Sequence, residues 1–467
     1  MKILFLVPDG IGVRNYLYTP ILKDLIEQGH DVVVWHALSE NALDEVQDLH
    51  NVKLHGEQLP YYKESMLEKF LRESIAYARL RYNTKITNNQ TLMANWTPSI
   101  RNLKLKLFYM AVEITGSIFN SYNNILKMEN KYQNVIKKSK YLKDFREFLR
   151  SYKPDIVFNT HQRSIIAIPA IIAAKELDIQ TVSSIYSWDN LPKARLATRT
   201  ESYLVWSEYM KNEMRKYYPE ISNEKIIITG TPQFDFYLNK SLYQSKEIFY
   251  AKYDLDLNKK TICFSGDDSR TSPYDPEYLA DLAEAVIQMK ESQRPQILFR
   301  RCPADFSDRY NEVLMRYEEV IKVSDPLWNR NVGEYNWNLF YPTFDDVKLL
   351  VNTAYHCDVV YNVGSTMAHD FAMFNKPAIY INYDQPHAKG WSVETIYKFQ
   401  HFRSMEGLDA VTWVNNKNEI KEVLKKVLET PEKCSTDRKK WLEIVTGCEE
   451  NVSKKIVDVL LLNGGDK

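Results

Sequence analysis

The stretch with the most chemical content in this 467-residue chain is DVVYNVGSTMAHDFAMFNKPAIYINY, Asp358 to Tyr383. Asp358 to Tyr361 reads as a strand, followed by Asn362-Val363-Gly364-Ser365-Thr366, a helix of about nine residues and then Lys376-Pro377. Gly364 lets a ligand approach the backbone, Ser365 or Thr366 can cap the helix, and the unpaired amides of its first turn face the loop. That is the chemistry of a phosphate or diphosphate seat. Asp370, about one turn further on, can accept hydrogen bonds from both hydroxyls of a ribose. The plainer alternative is a pair of ordinary caps and a solvated carboxylate. Cations for the diphosphate are offered by Arg300 and Arg301, at the end of QILFRR, and by Arg270 in SGDDSRTSP, whose Gly266 is also counted among the donor-binding residues. A guanidinium fork suits phosphate oxygens, and the strand-end pair is preferred to Arg270.

Candidate general bases stand at the other strand ends. Asp9 in PDGIG, His161 in FNTHQRS and Asp189 in YSWDNLPKAR are the candidates. Should Trp188 pack on Asp189, desolvation would raise that carboxyl towards a useful pKa. His161 needs no such tuning. The plainer roles are a turn cap for Asp9 or Asp189 and a loop hydrogen bond for His161. Gly266-Asp267-Asp268 offers a carboxylate pair that invites a metal reading, but no metal is expected, since His356, His387 and His401 show no ligand spacing. A NAD or FAD site is not expected either, because the G-x-G of PDGIGVR lacks its third glycine and Trp35-His36 stands where an acidic residue would hold the ribose.

The elements that must position these residues alternate between strand and helix. Continuous apolar runs at Ile3 to Val7 and, within Asp31 to Trp35, at Val32 to Trp35 are marks of strands covered on both faces. Further strand signals fall at Val52 to His55, Asp155 to Asn159, Thr181 to Tyr186, Tyr203 to Trp206 and Lys225 to Thr229. After GTPQFDFYLNK the pattern begins afresh with TICFSG, QILFRR, VIKVSD, DVVYNVG, PAIYINY and VTWVNN. The fold class is therefore α/β with two doubly wound domains, 1–240 and 241–467, the second ending in a helical tail. Residues 60–150 break the alternation and read as a helical insertion in the first domain. It packs on that domain, or turns a basic, aromatic surface in 95–150 to a membrane or a lipid-linked acceptor.

Composition narrows the partners. Lys+Arg and Asp+Glu are both 61, so no global field attracts nucleic acid. The five cysteines form no C-x-x-C pair, no stretch approaches a membrane span, and the first residues are not expected to act as a signal peptide. A cytoplasmic protein, free or peripheral at the inner face of the membrane, is expected.

At this point the motifs carry a resemblance. Gly364 and Asp370 have G-x5-acid spacing and Asn375-Lys376-Pro377 closes the motif. This resembles the nucleotide-binding segment of GT-B glycosyltransferases that build bacterial surface polysaccharides, with Asp for the usual Glu and Asn for the usual glycine. YLYTPILKDLIEQGHDVVVW resembles the first helix and second strand of their amino-terminal domains. IIITGTPQFDFYL, with Gly230, Pro232 and Asp235, resembles the segment closing the first domain in capsule and teichoic-acid type transferases. ILFRRCPADFSDRY is similar to their R-x-H-P loop, with Cys302 in place of the histidine. The resemblance implies two facing Rossmann-like domains, 1–240 on the acceptor side and 241–467 on the nucleotide side, a nucleotide-sugar co-substrate without a further cofactor, and transfer to a growing polysaccharide or lipid-linked glycan. It leaves open a CDP-polyol phosphotransferase, a nucleotide-sugar 2-epimerase and a non-catalytic scaffold of a polysaccharide assembly complex.

Overall fold

The computed structural model describes residues 1–467 apart from 40, 197, 330–339, 448–450 and 466–467, so Cys448 lies outside the described residues. Strands β1 (Lys2–Val7), β2 (Asp31–His36), β3 (His55–Gln58), β4 (Ile156–Asn159), β5 (Gln180–Ser184), β6 (Ser202–Val205) and β7 (Ile226–Ile228) form one parallel sheet in the order β3-β2-β1-β4-β5-β6-β7. Strands β8 (Thr261–Ser265), β9 (Gln296–Arg300), β10 (Ile321–Val323), β13 (Val359–Asn362), β14 (Ala378–Ile381) and β15 (Thr412–Val414) form a second, ordered β10-β9-β8-β13-β14-β15. Between them in sequence, β11 (Trp328–Asn329) and β12 (Tyr341–Pro342) make a small antiparallel pair. Each large sheet is covered on both faces, which is why its inner strands read as unbroken apolar runs: Ile3 through Val7 and Val359 through Tyr361 are fully buried. The edge strand β3 is exposed throughout and lies just past the expected Val52 to His55. Val52 and Leu54 pack on the core ahead of it, while the edge itself is polar, as an unpaired edge should be.

The insertion comprises helices Met66–Thr87, Leu103–Ile118, Tyr122–Lys137 and Leu142–Tyr152. Ser65 and Glu68 form a capping box that starts the first of them. A buried ion pair, Arg79 to Glu129 at 2.6 Å, joins the first and third, and Arg199 of the parent domain reaches the same carboxylate at 2.8 Å. Most of the insertion thus packs on the first domain.

The chain then crosses back. Helix Val452–Gly465 follows the second sheet yet packs on the first, where Ser202 Oγ donates to Asn463 Oδ1 at 3.0 Å. Asp235, in the GTPQFD segment, holds its start by accepting from Ser453 N at 3.1 Å and Ser453 Oγ at 2.6 Å. The opening loop answers to the same closeness of the two halves. A side chain on Gly10 would collide with the backbone of Phe340 and Tyr341, so that glycine lets the second domain's backbone rest on the end of β1.

Candidate active site

In a parallel sheet, loops from neighbouring strands diverge where the strand order reverses, and the crevice left at the carboxyl ends takes ligands. Here the reversals fall between β1 and β4 and between β8 and β13. A cavity of about 470 Å³ opens at the second of these. Its second-domain wall is Asp267, Asp268, Arg270 and Thr271 after β8, Val363 to Thr366 after β13, and Ile396 to Phe402. Its first-domain wall is Ser187 to Asp189, Pro192 and Lys193 after β5, with Thr91, Ala94, Asn95 and Thr97 of the insertion. A smaller cavity of about 180 Å³ adjoins it, sharing Ser187 and Thr366 and adding Ile11, Arg14, Tyr186, Tyr237 and Asp370.

Gly364, Ser365, Thr366 and Arg270 therefore share the larger cavity. Gly364 sits at φ +66°, and a Cβ there would lie 2.8 Å from the Phe402 ring, so both backbone and space require glycine. The expected caps are weak: Thr366 makes no side-chain cap bond, and Ser365 Oγ stands 3.4 Å from Met367 N. The Ser365 amide already donates to Asn362 Oδ1 at 2.9 Å, so the seat offers fewer open donors than the sequence implies. Gly266 is buried beside Tyr310, whose hydroxyl would be 2.6 Å from a Cβ there, and does not line the cavity.

The cations rank differently in space. Arg300 is buried and spans Asp346 at 3.0 and 3.2 Å, and breaking so buried a pair is costly. Arg301 donates to Asp325 at 3.0 Å and to the Ser307 carbonyl at 3.1 Å. Neither lines the cavity. Arg270 does, together with Lys193, which sequence reasoning passed over although it lies four residues after Asp189.

Asp370 faces the smaller cavity. Burial raises its carboxyl to about 6, against the opposing pull of Tyr237, Arg14 and Arg300. Asp267, in the larger cavity, is raised to about 7 by burial and then by its neighbours Asp275 and Asp268. Neither value could be foreseen without knowing which carboxylates share a wall.

The base candidates divide. Asp189 is corrected: burial pushes its carboxyl up, but Lys193, His401 and Ser187 outweigh it, and the net effect is a strongly depressed pKa. Asp189 makes a short contact with Lys193 Nζ and accepts from Ser187 Oγ at 2.7 Å, leaving a poor proton acceptor. Trp188 turns away from it. The buried indole packs between His369, His401, Phe402 and Trp441 of the second domain, with ring centroids 4.6 to 6.0 Å apart. Burial lowers His401 to about 4 and His369 to about 3.

Asp9 and His161 come together. They follow β1 and β4, the two strands flanking the first reversal, and Asp9 Oδ2 makes a short hydrogen bond with His161 Nδ1. Asp9 Oδ1 accepts from Ile11 N at 3.1 Å. Burial raises the Asp9 carboxyl, but the imidazole and the Ile11 and Gly12 amides bring it below the ordinary value. His161 Nε2 is buried with no hydrogen-bond partner. Tyr186, 4.0 Å from the imidazole between ring centres, separates the pair from the smaller cavity. A carboxylate that fixes one imidazole nitrogen and leaves the other open is the arrangement of a general base. Among the described residues no group of three His, Cys, Asp or Glu is placed to hold a metal ion.

Known proteins supply the architecture's parallels. The UDP-GlcNAc 2-epimerase of Neisseria meningitidis, bound to UDP-GlcNAc, superposes with a TM-score of 0.50 at 13% identity over 99% of this chain and all of that one. The S. aureus MnaA–UDP structure gives 0.54 at 13% identity over 98% and 96%. The UDP-GlcNAc 2-epimerase of Methanocaldococcus jannaschii gives 0.53 at 13% identity over 99% and 100%. The fold is GT-B. No family model matches the chain. In sequence, a curated teichoic acid poly(ribitol-phosphate) polymerase of Bacillus spizizenii is 24% identical over 179 residues, 37% of this chain. The match spans a quarter of that protein's length.

Proposed function

We propose that this chain is a transferase that binds a nucleoside-diphosphate-linked sugar in the larger cavity and passes the sugar to a hydroxyl of a polysaccharide or lipid-linked glycan. One observation carries the reading: the reversals of both sheets meet at adjoining cavities, with Ile11 after β1 and Thr366 after β13 lining the same one. The second domain offers the leaving diphosphate Arg270 and the Gly364 to Thr366 loop, which balance charge as the sugar departs. The first domain offers His161, whose Nε2 takes the acceptor's proton while Asp9 steadies the imidazolium through Nδ1. Reaching the acceptor requires Tyr186 to move aside as substrate enters.

A second reading keeps the same groups for transfer of a polyol phosphate from a CDP-linked donor, and is favoured by the likeness to the ribitol-phosphate polymerase. A third, 2-epimerisation, rests on the likeness of fold and is told apart by needing no acceptor. The deciding experiment is a melting-temperature screen with UDP, GDP, CMP, CDP and dTDP, followed by incubation of the matching donor with and without acceptor. A nucleotide that binds the folded form raises the melting point, and Arg270→Ala should diminish that rise. If none of the five shifts the wild type, the nucleotide reading fails.

A further inference from the structure

Helix Leu103–Ile118 buries one side only. Tyr109, Val112 and Gly116 face helix Met66–Thr87, and a Cβ on Gly116 would lie 2.8 Å from the Tyr77 ring. On the other side Leu103, Leu107, Met110, Ile114 and Ile118 are 70, 57, 48, 59 and 66% exposed. At about 100° per residue these five project within an arc of about 80°, a continuous apolar stripe on the outside of the molecule. Isolated exposed leucines are ordinary, but a stripe of five on one helix marks a surface that something covers.

The charges around it say what. Lys104 and Lys106 fall on either flank of the stripe, and Arg101 precedes the helix, all three exposed. The helix's one acid, Glu113, accepts from Trp96 Nε1 at 2.8 Å. Residues 95–150 carry eleven Lys and Arg against four Asp and Glu, in a chain whose totals are 61 and 61. Among the described residues no helix is long and apolar enough to cross a membrane. A half-buried helix about 24 Å long can lie along a bilayer, with flanking lysines reaching up to the headgroups. A second copy is a poor occupant, since a two-fold contact through the stripe would set like-charged flanks against each other.

We infer that helix Leu103–Ile118 docks in the plane of an anionic phospholipid surface, its stripe in the acyl boundary and its lysines among the headgroups. The docking also places the cavity. Trp96 packs 5.0 Å from Tyr77 and 6.0 Å from Tyr109, while its neighbours Asn95 and Thr97 line the larger cavity. A bilayer against the stripe therefore lies across this helix, roughly 10 Å thick, from the side that Trp96 ties to the cavity wall, and an acceptor carried on a lipid would reach the cavity past the helix. The inference holds whichever donor fills the cavity, so its test stands apart from the nucleotide screen.

The test is flotation of the full chain with vesicles of phosphatidylcholine containing about a third phosphatidylglycerol, and with phosphatidylcholine alone. The wild type should float with the anionic vesicles and lose binding as salt rises. Leu107→Glu with Ile114→Glu, and separately Lys104→Glu with Lys106→Glu, should each reduce the bound fraction roughly tenfold or more. Because these side chains are exposed, circular dichroism and the melting temperature of the unliganded protein should not change. Should the glutamates disturb folding, Leu107→Ser with Ile114→Ser repeats the test. Wild type that stays with the supernatant, or an apolar-face variant that floats equally well, overturns the inference. So does a wild-type dimer in light scattering that the same variant turns into monomer, which would give the stripe to a second copy.

Discussion

Asp9→Asn isolates the dyad. Asn can still accept from Ile11 N, where Asp9 Oδ1 accepts at 3.1 Å, so the turn after β1 keeps its hydrogen bond. Its amide then donates to His161 Nδ1, where the carboxylate accepts now. That places the imidazole proton on Nε2, the nitrogen needed to take the acceptor's proton. Misplacing the proton of a positioned base costs roughly 100- to 10,000-fold in turnover, or about 3 to 5 kcal/mol of barrier. The folded protein should lose far less, about 1 to 3 kcal/mol for one buried charged hydrogen bond. The sign with pH follows from the depressed Asp9 pKa: its ionised form stabilises the fold above the ordinary carboxylate range, and that contribution fades as pH falls through it. The assay is kcat with the donor found by the melting screen, alongside donor affinity and a urea titration. Turnover within about threefold of wild type, with donor affinity unchanged, would refute the dyad as base and leave Asp9 a turn cap.

Three other outcomes follow from the cavity walls. Asp267, raised to about 7, should be protonated when a diphosphate binds beside it, so donor affinity should fall as pH rises through 7. Asp267→Asn should flatten that dependence in a binding titration between pH 6 and 8. Gly364→Ala should cost about 1 to 3 kcal/mol, from a left-handed backbone and a methyl 2.8 Å from Phe402, and should weaken nucleotide binding as that ring is displaced. Trp188→Ala should cost about 3 to 5 kcal/mol in denaturant titration and expose the seam between the domains to proteolysis, because the indole fills a second-domain aromatic pocket.

The order of the inner strands of both large sheets was legible in the sequence, since strands buried on both faces announce themselves as apolar runs, whereas the polar edge strand β3 lies past its expected place and the short pair β11 and β12 has no such signal. The loops that carry chemistry were legible for the same reason, as polar breaks at strand ends. The sequence alone did not say which loops face each other. Asp9 and His161 are 152 residues apart and meet because β1 and β4 are neighbours in the sheet. Arg300 looked available until Asp346, 46 residues on, was found across from it in the same buried layer. Trp188 was read with its chain neighbour Asp189, yet a side chain in a loop goes where volume is open, and that volume lay in the other domain. Periodicity is a local property and survives in one dimension. Pairing, burial and the pKa values that depend on them are set by distances that only the folded chain defines.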